Sequence, residues 1–187
     1  MTTIKIIRMT FAVLLLSSGL VYGATAPETT AAFYAQLQKG DFEAAAGYFD
    51  PPALTEFRQS LNIINEAPPA AQQQFREAFF GAGATADSIA KLSDADFFSS
   101  FLRTALSQAE ALGKVNFDNM EILGGVMEGP DVAHVVVRNR VSVGEMEVEG
   151  MEVVSCKKRG DEWKLLVSTQ MKGLANQIRT ALSSVPR

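Results

Sequence analysis

The stretch Val132–Lys158, VAHVVVRNRVSVGEMEVEGMEVVSCKK, constrains the fold of this chain more than any other. Much of it alternates apolar and polar residues with a period of two, the pattern of paired strands with one buried face. Near its middle, Gly144-Glu145 separates Val143 from Met146, and Gly first in a two-residue loop is the signature of a type II′ hairpin. Such a turn fixes the register. Residue 143 faces 146, 141 faces 148, 139 faces 150 and 137 faces 152. One face then collects Val135, Val137, Val141, Val143, Met146, Val148, Val154 and Cys156. The other sets Arg140 against Glu149 and Ser142 against Glu147. A slip of one residue would scatter the valines and undo the charge pairing.

Two residues on the valine face are polar, Asn139 and Glu152. The register makes them diagonal neighbours across the hairpin. A carboxylate there is costly unless hydrogen-bonded or protonated. Three readings follow. The two are a satisfied polar pair in the core, or a bulge at Gly150 turns Glu152 outward, or they line a polar spot in a pocket. The last is what a ligand anchor or a general acid/base requires.

Strands are expected near 118–127, 132–143, 146–158 and 162–169, with turns at Gly129-Pro130-Asp131 and Arg159-Gly160-Asp161. Parity adds Met120, Ile122, Val126, Trp163, Leu165 and Val167 to the inner face. It also brings Thr169 or Val167 beside Glu152. Leu123, Val136, Met151, Val153 and Leu166 fall on the outer face, more apolar than a solvated face needs. A homodimer through this face is expected, with Arg138 and Arg140 at its rim. The alternative is the C-terminal helix folding back over it.

The period before the sheet is helical. PETTAAFYAQLQKG ends at Gly40, and Asp41 caps the short DFEAAAGYF helix. Asp50 then caps a helix with Pro51 at its first position and an apolar stripe of Leu54, Phe57, Leu61 and Ile64. AAQQQFREAFF runs to Gly81. Ser93 and Asp96 open a longer helix carrying Phe97, Phe101, Leu102 and Leu106. Helical spacing resumes after the sheet through Met171, Leu174, Ile178 and Leu182. The layout is α+β: a helical part over 27–113, a curved antiparallel sheet over 116–169 and a C-terminal helix over 170–183.

The helix, the GDFEAAAGYFDP step into further helices and the meander ending KKRGDEWKLL resemble the nuclear transport factor 2-like (cystatin-like) superfamily. The Gly-Asp-aromatic joint at Lys39–Phe42 and the Gly-Asp-x-Trp hairpin at Gly160–Trp163 carry the resemblance, over about 28–58 and 116–169. The helical insert at 68–114 is longer than that family's usual third helix. The resemblance implies a cone-like roll of sheet around helices, often with an apolar pocket, and often a dimer through the outer sheet face. It covers cofactor-free isomerases and dehydratases as well as non-catalytic domains, so the fold does not choose the function.

Other motifs have plainer readings. GAGATA at 81–86 matches a dinucleotide fingerprint but follows a helix instead of a strand. The RGD at 159–161 stands where a turn is needed. His134 is the only histidine and lies on the outer face, away from Cys156, so neither a metal set nor a His-activated nucleophile assembles. Glu145, Glu147 and Glu149 share their face with Arg138 and Arg140 and read as a solvated, paired strip. A lone cysteine forms no internal disulfide.

The first residues read differently. MTTIKIIRMT carries Lys5 and Arg8, FAVLLLSSGLVYG is apolar and then small, and this order is that of a secretory signal. Cleavage is expected after Gly23, with the bonds after Ala24 and Ala26 and an uncleaved anchor as alternatives. That leaves residues 24–187 as one periplasmic or secreted domain. The net charge of −4 argues against a nucleic-acid partner. No basic run suggests a membrane surface once the signal is removed. The expected function is a non-catalytic module that binds a small apolar ligand or a partner protein without a cofactor, through the cone (Asn139, Glu152, Thr169 and Trp163) or the sheet face. The alternative is an isomerase or dehydratase using Glu152 with Asn139 and Thr169.

Overall fold

This computed structural model describes residues 23–112, 120–143 and 146–183; the side chains of 63, 108–112, 141–143, 146–148, 174–175, 178–179 and 181–183 are outside that description. Residues 1–22 of the expected signal segment 1–23 and the hairpin loop 144–145 also lie outside it.

Helices come first. α1 (Ala26–Gln38) starts in a full capping box: the Thr25 hydroxyl takes the Glu28 N–H and the Glu28 carboxylate takes the Thr25 N–H. α2 (Phe42–Ala46) is capped by Asp41, whose carboxylate accepts from Ala44 N–H at 3.0 Å. α3 (Pro51–Ser60) continues into a 3₁₀ turn, Asn62–Glu66. α4 (Pro69–Phe80) ends at Gly81, a short α5 (Ala86–Ala90) follows, and α6 (Asp94–Leu112) opens on the expected Ser93/Asp96 cap. Sequence spacing missed α5, because five residues show no apolar period.

Four strands follow among the described residues: β1 (Glu121–Glu128), β2 (Val132–Val143), β3 (Met146–Arg159) and β4 (Glu162–Leu165), antiparallel in the order β1-β2-β3-β4. α7 (Thr169–Ser183) comes last. The architecture is α+β, with the N-terminal helices on one face of the sheet. β1 and β4 do not pair, so the sheet curves without closing.

The hairpin register is the expected one. Val143 pairs with Met146, Val141 with Val148, Asn139 with Gly150 and Val137 with Glu152. No bulge occurs at Gly150, so Glu152 keeps its inner-face place. Arg140 meets Glu149 at 3.1 Å on the other face. Val135, Val137 and Cys156 are fully buried against the helices, joined by Ala133, Val154, Leu165 and Val167.

Three positions depart from expectation. The register of β1 shifts between Ile122 and Gly124, where Gly124 takes a φ of +153° that a side chain would resist. Beyond this bulge the parity inverts: Val126 pairs with His134 and is 65% exposed on the outer face. β4 ends at Leu165, so Thr169 does not stand beside Glu152; it is exposed and begins α7. Leu166, expected outside, turns with the chain as it leaves β4 and packs on the core.

The core is largely aromatic. Phe33, Phe49, Phe98, Phe57 and Phe101 form a chain of edge-to-face rings with centroids 4.6–5.2 Å apart, joining α1, the α2–α3 corner, α3 and α6. The corner also closes the edge of β4. Leu165 N–H donates to Tyr48 C=O and Asp50 N–H to Leu165 C=O, each at 2.8 Å. Asp50 does not cap α3 with its side chain. Its buried carboxylate instead takes both arms of the Arg159 guanidinium, Nε at 2.7 Å and a terminal nitrogen at 2.8 Å. This fork ties the β3–β4 hairpin to the helical corner. α7 packs on α3 and the 3₁₀ turn, away from the outer sheet face.

Candidate functional site

The inner sheet face and the helices do not meet everywhere. Between α1, α6, β3 and the link from β4 to α7 lies a cavity of about 290 Å³. Phe33, Leu37, Phe49, Leu102, Ala105 and Val154 form much of its apolar wall. α1 supplies its side through a helical repeat: Thr30, Phe33, Tyr34 and Leu37 share the stripe that faces the sheet. α6 supplies the opposite wall through Leu102, Ala105 and Leu106.

Polar residues interrupt the apolar lining at two places, Ser168 and Gln170 at the start of α7 and Glu152 on the sheet. Glu152 reaches into the cavity from β3 because of its inner parity. Its Oε2 accepts from the Tyr34 hydroxyl at 3.1 Å and from the Asn139 amide nitrogen at 3.2 Å. Two donors on one oxygen is an arrangement suited to an ionised carboxylate. Tyr34 is buried. Burial, and next the neighbouring Glu152 charge, push its hydroxyl well above the usual phenol range, while the Asn139 amide pulls the other way. Asn139 Oδ1 is buried and has no hydrogen-bond partner among the described residues.

The structure therefore brings Asn139 and Glu152 together, as the hairpin register requires. It does not bring in the other two expected residues. Thr169 is exposed, and its neighbours Ser168, Gln170 and Met171 line the cavity instead. Trp163 pairs with Lys158, six residues along β3 from Glu152, or about 20 Å at the usual strand rise. It packs on the core and lines no part of the cavity. Tyr34 is the residue that sequence reasoning passed over. Its signal was a phenol on the helix stripe that faces the sheet, because a buried phenol nearly always finds a partner.

The remaining candidates are structural. Cys156 is fully buried, burial pushes its thiol up, and Thr30 Oγ1 lies 3.6 Å from the sulfur. His134 sits outside the sheet between Ser155 at 3.0 Å and Glu128 at 2.6 Å. The GAGATA segment leads from α4 through two positive-φ glycines into the short α5, with no strand before it. A second cavity of about 330 Å³ lies among α3, α4, α5 and α6. Its Arg58 is engaged by the Ile89 and Leu92 carbonyls at 2.9 and 2.7 Å and by Asp94 at 3.0 Å. Among the described residues no three His, Cys, Asp or Glu side chains converge on one point, and no helix is long and apolar enough to cross a membrane.

Comparison with protein-family models, with curated proteins and with solved structures finds no match to this chain.

Proposed function

We propose that this chain is an exported module that binds a small, mainly apolar molecule in the cavity between α1, α6 and the inner sheet face, oriented by Glu152. The carrying observation is the pairing of a mainly apolar cavity with one charged group among its described lining residues: Glu152, held by Tyr34 at 3.1 Å and Asn139 at 3.2 Å. Small-molecule sites have this composition, and about 290 Å³ is near the lower end of their volumes. The nuclear transport factor 2-like resemblance supports the same reading, since a sheet curved over helices leaves room for such a cavity. The isomerase or dehydratase alternative has less support. Thr169, the third residue it calls for, is exposed and outside the cavity.

The test is titration with a neutral fluorescent probe, N-phenyl-1-naphthylamine. Saturable enhancement is expected, and Ala105→Phe, which adds a ring at the cavity wall, abolishes it while the thermal unfolding transition persists. Unchanged enhancement in Ala105→Phe places the probe elsewhere and removes the proposal.

Export rests on the charged, apolar, small-residue order of the first 23 residues. Cleavage after Gly23 keeps Thr25 and its capping box, whereas cleavage after Ala26 removes both the cap and the buried Ala26. The intact mass of exported protein is expected to begin at Ala24.

A second copy of the chain is the occupant that best fits the outer sheet face. Val126, Met151 and Val153 are 55–72% exposed there, and α7 lies elsewhere. Beside them Arg138 bridges Glu121 and Glu149. An isologous dimer would bury this patch on both copies, with these charges at its rim.

A further inference from the structure

The cavity has a charge sign. Among its described lining residues Glu152 is the only acid, and no lysine, arginine or histidine joins it. Arg138, one residue beyond the Val137 that pairs with Glu152, lies on the outer face and pairs with Glu121 at 2.9 Å. Glu152 therefore has hydrogen-bond donors around it but no described countercharge. Both donors lie on Oε2, and among the described residues none donates to Oε1. Three aromatic rings, Phe33, Tyr34 and Phe49, contribute to the same walls.

From this we infer that the ligand is an apolar amine, bound as its ammonium ion, with the N–H donors meeting Glu152 Oε1 and the hydrocarbon part filling the space between α1 and α6. The inference rests on the reading of the cavity as a binding site and adds the ligand's class. The physics separates three kinds of molecule. A carboxylate of the same size meets a like charge with no described cation to offset it, and a partly enclosed site screens that repulsion less than water does. A neutral alcohol can donate one hydrogen bond to Oε1 but leaves the charge uncompensated. An ammonium donates and neutralises at once, making the stronger charge-assisted bond. Aromatic walls favour the cation further, because the ring faces carry partial negative charge.

Three molecules of nearly one shape test this: 2-phenylethylammonium, 2-phenylethanol and 3-phenylpropanoate, titrated into the purified protein at neutral pH and low salt by calorimetry. The ammonium is expected to bind at least ~10-fold more tightly than the alcohol, consistent with the doubled strength of charge-assisted hydrogen bonds, and the propanoate not at all. Glu152→Gln is expected to weaken the ammonium far more than the alcohol and so close the gap between them, and a retained thermal unfolding transition shows that the variant is folded. If the variant does not fold, the salt dependence of the wild-type protein decides, since only the ammonium should weaken as salt rises. Equal binding of ammonium and alcohol, or an ammonium affinity indifferent to Glu152→Gln, overturns the inference and leaves the apolar site standing. Binding of the neutral naphthyl probe with none of these three also overturns it. Failure of that probe as well removes the site and the inference together.

Discussion

Replacing Tyr34 by Phe removes one oxygen from the cavity wall and leaves the ring in place. The ring is 4% exposed, and its hydroxyl donates to Glu152 Oε2 at 3.1 Å. A hydrogen bond to a charged group contributes about 1.5–3 kcal/mol, and one between neutral groups about 0.5–1.5 kcal/mol. Glu152 is only partly buried and lines an open cavity, so water can replace part of what Tyr34 supplies. The lower end of the charged range, about 1.5 kcal/mol, is therefore the expected cost. For a chain of this length it lowers the melting temperature by about 3–6 °C. In a Glu152→Gln background the same change removes only a neutral bond and costs about 0.5 kcal/mol. The four proteins of this cycle, unfolded in urea at neutral pH, should give a coupling of about 1 kcal/mol, above the roughly 0.3–0.5 kcal/mol scatter of independent sites. A coupling inside that scatter would refute the reasoning, because the hydroxyl would then not feel the carboxylate.

Other perturbations reach different parts of the account. Tyr34 is raised by burial and by Glu152, so the folded protein keeps a proton that the unfolded chain releases near pH ~10. Stability is thus expected to be intact below that pH and to fall as pH rises beyond it. Urea midpoints in Tyr34→Phe should show a shallower alkaline decline, and identical slopes would contradict the assignment. Asp50→Asn breaks the fork to Arg159 and should speed amide exchange at Leu165 and Lys158 while lowering the melting temperature; Arg159→Lys keeps the charge, loses the paired geometry and should reproduce most of that effect. Met151→Glu with Val153→Lys on the outer face should convert a dimer to a monomer by light scattering without altering probe binding, and a wild-type monomer at micromolar concentration removes the second-copy proposal.

Much of the sheet was legible because two independent signals agreed. The period of two sorted the faces, and Gly144-Glu145 fixed which residues oppose one another, so the nearness of Asn139 and Glu152 followed from counting. Val126 was misplaced because parity holds only while a strand is regular, and the bulge before Gly124 costs one residue of phase. Thr169 was misplaced because the apolar run Leu165-Leu166-Val167 reads as continuing strand, whereas β4 ends at Leu165. Leu166 N–H still bonds Ser155 C=O at 2.8 Å, but the chain then turns into α7. Tyr34 was passed over because its ring satisfies the same helical stripe as Phe33 and Leu37; its phenol signals that a partner is needed, but only tertiary packing says which. Asp50 was read as a cap from local sequence, but its partner, Arg159, lies 109 residues away.

The most direct test of the cavity as a binding site is to map a bound molecule by nuclear magnetic resonance. Methyl resonances of Leu37, Leu102, Ala105, Val154 and Leu165, all in the cavity wall, should shift together as N-phenyl-1-naphthylamine is added. Those of Val126, Met151 and Val153 on the outer face should stay in place. Shifts confined to the outer face, with the cavity methyls silent, would contradict the account.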